Sequence, residues 1–189
     1  MGCPIEKSIN ALRGLPFYAV LSAKSKYTLL DVFLTFLGAA FEEVSKKIPE
    51  LKCEISDWNE GRRFALGVMP KGPFVTVEKR GDELCYLGKG LQDPDVTFLF
   101  KNLDAAVPVF TGLMSSHQAV AECKVMIQGN NSFAMETNRA LAIVLAYLFP
   151  VSVFGHLFKD KPKLGLKQLI NKGKVYMTIL PAFIKHALL

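Results

Sequence analysis

Three histidines and four cysteines carry most of the capacity for covalent or metal chemistry in this 189-residue chain, and their spacing restricts it. His117 precedes Cys123 by six positions, a base and a thiol that would serve acyl chemistry if their side chains met. A predicted helix-to-strand change separates them, so the preferred reading is an exposed histidine near a helix end. His156 lies in an apolar run and reads as a partly buried structural histidine. Cys3, Cys53, Cys85 and Cys123 are far apart, with no C-x-x-C pair and no Cys/His cluster, which argues against structural zinc. Asp93 and Asp95 flank Pro94 as turn residues, and Glu42 and Glu43 fall on the polar side of a helix. There is no G-x-G-x-x-G, no phosphate-binding loop and no H-E-x-x-H. Aromatic richness without gathered polar groups points to binding rather than catalysis, with no cofactor and no metal expected.

The elements that must position any such site follow from hydropathy. Half of the residues are hydrophobic, enough for one substantial core. From Thr28 to Ile48, Leu30, Phe33, Leu34, Leu37, Phe41, Val44 and Ile48 recur at helical spacing, and Pro49 is expected to end the helix. Short segments follow at Cys53–Trp58, Arg62–Met69, Phe74–Lys79, Leu84–Leu87 and Val96–Lys101. Tight turn signals separate most of them, which predicts strands paired mainly antiparallel. Residues 103–113 read as a helix despite Pro108, Lys124–Gln128 as a strand, and Ser132–Phe149 as a helix closed by Pro150.

The formal charge of +6 is uneven. Residues 1–150 hold 16 Lys+Arg and 16 Asp+Glu, whereas residues 151–189 hold Lys159, Lys161, Lys163, Lys167, Lys172, Lys174 and Lys185 against Asp160 alone. Lysines interleaved with aliphatic residues, without arginine, fit an anionic membrane surface better than nucleic acid. Packing of this tail as a lid or a homodimer contact is the alternative. The 19 residues from Ala140 to Phe158 carry no charge and reach the length of a membrane span. Pro150, Ser152, Gly155 and His156 interrupt them, so the expectation is a buried helix, a turn and a second short apolar helix. No signal peptide is read at the N-terminus, and Met1-Gly2-Cys3 lacks the Ser or Thr of an acylation signal at Glu6. A cytoplasmic protein, peripheral at the membrane through its tail, is expected.

One stretch is distinctive: TGLMSSHQAVAECKVMIQGNNSFAME, from Thr111 to Glu136. Thr111, Gly112, Met114, Ala119, Lys124, Ile127, Gly129, Asn130, Ala134 and Met135 follow one another at the spacing of the sterol carrier protein type-2, or sterol-binding, family. Phe41-Glu42-Glu43-Val44-Ser45-Lys46-Lys47-Ile48 resembles the first helix of that family. Two positions depart from its usual pattern: Cys123 stands where Gly often precedes the Lys, and Ser116 where Pro often follows the turn.

The resemblance covers about residues 41–149. It implies an α+β fold: a five-stranded, mostly antiparallel sheet layered with helices around an apolar tunnel, here with a C-terminal helical extension. The expected organisation is an N-terminal helical segment over 1–27, the lipid-binding domain over 28–150, and the basic, apolar extension over 151–189. The implied activity is non-enzymatic binding, with transfer, of a fatty acid, acyl chain or sterol-like molecule. Its candidate lining is Phe98, Phe100, Phe110, Leu113, Met114, Ile127, Phe133, Leu141, Leu145 and Leu148, each equally explicable as plain core. A membrane-associated scaffold acting through its basic tail is the second functional reading.

Overall fold

The computed structural model describes residues 22–110, 114 and 116–148. The long first helix, α1 (Ala23–Lys47), begins five residues earlier than its apolar periodicity suggests. Ser22 is its cap: the hydroxyl accepts a hydrogen bond from the Ser25 amide at 3.2 Å, satisfying one of the free amides of the first turn. Leu30, Leu34, Leu37, Phe41 and Val44 form its buried stripe. Gly38 lies on that stripe because the ring of Tyr86 packs against it; a Cβ there would stand 2.5 Å from Cδ2 of that ring. On its polar side the charges pair locally: Lys46 bonds Glu42 at 2.7 Å and Lys47 bonds Glu43 at 3.0 Å, four residues apart in each case. Burial works against ionising Glu43, yet Lys47 and Lys46 together hold its carboxyl below the usual range.

Cys53–Trp58, expected as a strand, is a correction. It belongs mostly to a second helix, α2 (Pro49–Ser56). Pro49 ends α1 but also starts α2, since a proline in the first turn forfeits no hydrogen bond and has its φ preset. Leu51 and Ile55, four apart and both buried, are the helical signal that the short alternation around Ile55 concealed.

The sheet contains β1 (Arg63–Val68), β2 (Phe74–Arg80), β3 (Glu83–Lys89), β4 (Val96–Phe100) and β5 (Val125–Gly129). Its spatial order is β3-β2-β1-β4-β5. All neighbours are antiparallel except β1 and β4. A parallel pair needs a long crossover, and the β2–β3 hairpin is that crossover. Residues 90–95 then return beside β1 under hydrogen-bond control. The Gly90 amide donates to the Phe74 carbonyl at 2.8 Å, the Thr76 hydroxyl donates to the Gly90 carbonyl at 2.7 Å, and Asp95 and Arg63 exchange backbone and side-chain bonds.

The register places Phe64, Leu66, Val75, Val77, Val96 and Phe98 on one face of the sheet. Against that face pack α1, then α3 (Leu103–Phe110), the short α4 (Ser116–Ala121) and α5 (Asn131–Leu148). Phe41 meets Phe64 edge-on at 5.0 Å, and Trp58 meets Phe133 edge-on at 5.0 Å, joining α1, the sheet and α5 in one core. The structure is thus an α+β fold with a five-stranded, mostly antiparallel sheet, as the sequence leads one to expect. Among the described residues no helix is long and apolar enough to cross a membrane. Of the uncharged run from Ala140, residues 140–148 complete α5 and the rest lies outside the described residues, as do the lysine tail and residues 1–21.

Candidate functional site: an apolar cavity under helix α5

The edge strand β5 and its connections give the site its shape. Phe98 is paired with Ile127 and Phe100 with Val125, so all four side chains project from the same face of the sheet. Gly129 ends the strand at φ +108, and a Cβ there would lie 2.1 Å from the Asp95 carbonyl oxygen. Only glycine combines that dihedral with that approach. Asn130 follows as the cap of α5: its amide donates to the same Asp95 carbonyl at 3.1 Å, and its side-chain oxygen accepts from the Phe133 amide at 3.0 Å. The Gly-Asn step of the distinctive stretch thus fixes the angle at which α5 leaves the sheet.

Helix α5 has two apolar faces. Phe133, Thr137, Ala140 and Val144 point into the core and are buried. Ala134, Leu141 and Leu145, seven and four residues apart, form a second stripe turned toward β4 and β5. Between that stripe and the sheet lies a cavity of about 230 Å3. Leu66, Phe98, Phe100, Val125 and Ile127 form its floor, and Val109 and Phe110 of α3 also line it. Val120 of α4, with Met135 and Asn138 of α5, completes the wall. Val120, Ile127 and Met135 are 51%, 37% and 61% exposed, so the opening itself is rimmed by apolar side chains.

Six of the ten sequence candidates meet here: Phe98, Phe100, Phe110, Ile127, Leu141 and Leu145. Phe133 and Leu148 are buried in the core, outside this wall; Phe133 is held between Trp58 and the Arg62 guanidinium, 4.7 Å from its ring. Met114 is also off the wall, its sulfur 3.6 Å from Lys124 Nζ. Leu113 lies outside the described residues. Sequence reasoning passed over Leu66, Val109, Val120, Val125, Ala134, Met135 and Asn138 as lining. Ala134 and Met135 stood in the distinctive stretch, and Val125 follows from strand alternation with Ile127.

Titratable groups are held elsewhere. Lys124 pairs with Glu122 at 2.6 Å, and that lysine, with Gln118, holds the Glu122 carboxyl low. Glu78 lies on the other face of the sheet from Val77, bonded to Arg63 Nε at 2.8 Å and to Arg80; Arg63 foremost keeps its carboxyl below the ordinary range. Cys123 is exposed on the turn after α4, at φ +53, and the His117 side chain lies outside the described residues. Among the described residues no three His, Cys, Asp or Glu side chains gather to hold a metal.

The chain matches no protein-family model and no curated protein. Solved structures similar to it include the UbiJ-SCP2 ubiquinone synthesis protein, 17% identical over 68% of this chain and 99% of that one, with a TM-score of 0.39. The sterol carrier protein domain 2 of Helicoverpa armigera is 20% identical over 59% of this chain and 86% of that one, with a TM-score of 0.41. Sterol carrier protein 2 from Yarrowia lipolytica, in its apo form, is 12% identical over 74% and 97%, with a TM-score of 0.38. Likeness at these identities and scores transfers neither ligand nor activity.

Proposed function

We propose that this protein is a non-enzymatic binder, and carrier, of a lipid-like molecule that enters between β5 and α5 and lies along α5. The observation that carries this reading is the wall of the cavity: among the described residues thirteen line it, of which only Asn138 has a polar side chain, and three exposed apolar ones stand at its opening. Among the described residues that wall offers no acid, base or nucleophile. Such a cavity gains free energy by taking up hydrocarbon, about 0.8 kcal/mol for each methylene removed from water.

The volume narrows the class. Pockets that bury drug-sized ligands measure about 300–1,000 Å3, and this one measures about 230 Å3. A single acyl chain suits such a slot better than a rigid fused-ring system. Eight methylenes would contribute about 6 kcal/mol, from which the costs of association are still to be subtracted.

Native mass spectrometry of gently purified full-length protein tests this together with displacement of a fluorescent fatty acid. A bound mass in the lipid range and saturable displacement are expected. An apo mass alone, with no displacement, would rule the carrier out.

A further inference from the structure

The proposed carrier function leaves open which end of an amphiphile is recognised, and one residue of the cavity speaks to that. Asn138 is half-buried on α5, four residues after Ala134 and three before Leu141, and so interrupts an otherwise aliphatic stripe. Its amide makes no hydrogen bond among the described residues. Asparagine in mid-helix is a weak helix former, and a leucine here would continue the stripe. We propose that Asn138 is the polar anchor of the cavity and selects amphiphiles ending in a neutral hydrogen-bonding group, such as a hydroxyl or an amide, over those ending in a carboxylate. This rests on the binding function above.

Three features support the assignment. A side-chain amide both donates and accepts, which matches a hydroxyl or an amide on a ligand. Among the described residues no Lys, Arg or His side chain stands on the cavity wall, so a carboxylate set against them would lose water without gaining a counter-charge, which disfavours its ionised form. Asn138 also lies three residues, about 4.5 Å along the helix axis, beyond Met135, and Leu141 and Leu145 continue the same stripe from it. A head group bonded there leaves its chain to run along Leu141 and Leu145.

The test uses full-length protein and displacement of an uncharged fluorescent fatty alcohol by four competitors of equal chain length at pH 7: tetradecanol, tetradecanamide, myristate and tetradecyl chloride. The alcohol and the amide are expected to compete about two- to tenfold better than the chloride, the range of one net hydrogen bond, and better than myristate. Asn138→Leu is expected to abolish that preference while binding the chloride at least as well. Asn138→Asp, which preserves shape, is expected to weaken myristate further, and it keeps the question answerable if the leucine variant folds poorly. Equal competition by alcohol and chloride, myristate ranked first, or a preference that survives Asn138→Leu would each overturn the assignment while leaving lipid binding intact. Failure of wild-type protein to bind the probe at all would instead remove the binding function, and this inference with it.

Discussion

The backbone of Gly129 rests against the carbonyl of Asp95 so closely that a methyl group at position 129 would meet that oxygen at 2.1 Å. Asp95 begins the return to β4 and Gly129 closes β5, so this one contact sets the edge strand against its neighbour at the point where α5 departs. Gly129→Ala must therefore shift backbone rather than a side chain, at a positive φ that alanine resists. A loss of about 2–4 kcal/mol is expected, read by chemical denaturation, together with loss of probe binding.

Cys123 presents the opposite case. It occupies φ +53 without being glycine, where its amide and that of Lys124 bond back to the Val120 and Ala119 carbonyls at 2.9 and 2.8 Å. A side chain in the left-handed region costs about 1–2 kcal/mol, and glycine returns part of that as chain entropy. Cys123→Gly should stabilise by about 0.5–1 kcal/mol and leave ligand binding unchanged. A lowered melting temperature would contradict the geometry.

Leu141 faces the cavity but is only partly buried. Leu141→Gln places an amide against hydrocarbon without opening the core on the other face of α5. The expectation is about five- to thirtyfold weaker displacement of a fluorescent fatty acid, corresponding to roughly 1–2 kcal/mol, with little change in melting temperature of the ligand-free protein.

Glu78 governs acid sensitivity on the far side of the sheet. Its carboxyl titrates lower in the folded protein than in the unfolded chain, chiefly through Arg63 and then Arg80. The unfolded chain therefore binds the proton first, and the stability that this group contributes is present above about pH 4.5 and lost as pH falls through the folded value. Denaturation midpoints should fall below that pH in wild type and fall less steeply in Glu78→Gln. Parallel pH profiles for the two proteins would show that Glu78 contributes nothing to acid unfolding.

The sheet and its covering helices were legible because their apolar periods are long or their turns well marked. The Phe98–Phe100 alternation and the α5 pattern from Phe133 to Leu148 carry their own geometry. The segment at Cys53 was misread since eight residues give only two turns, and the Pro49 that ends one helix begins the next. Site residues on regular elements were recoverable from face assignment. Phe133 and Leu145 could not be sorted from sequence, because α5 is apolar on two faces and hydropathy does not say which one meets a void. Asn138 was missed for a related reason: a lone polar residue in a helix is ordinarily taken to face water.

That doubled helix also ties the state of the ligand to the state of the fold. One surface of α5 is held by Trp58 and its neighbours, and the other meets β4 and β5 across the cavity. Cargo would then act as a missing piece of core, binding the native form and not the unfolded chain, and by mass action each increment of occupancy is an increment of stability. If the proposed lipid binding holds, the protein would outlast denaturation and proteolysis best in a cell where such a lipid is plentiful, and its abundance would follow that supply.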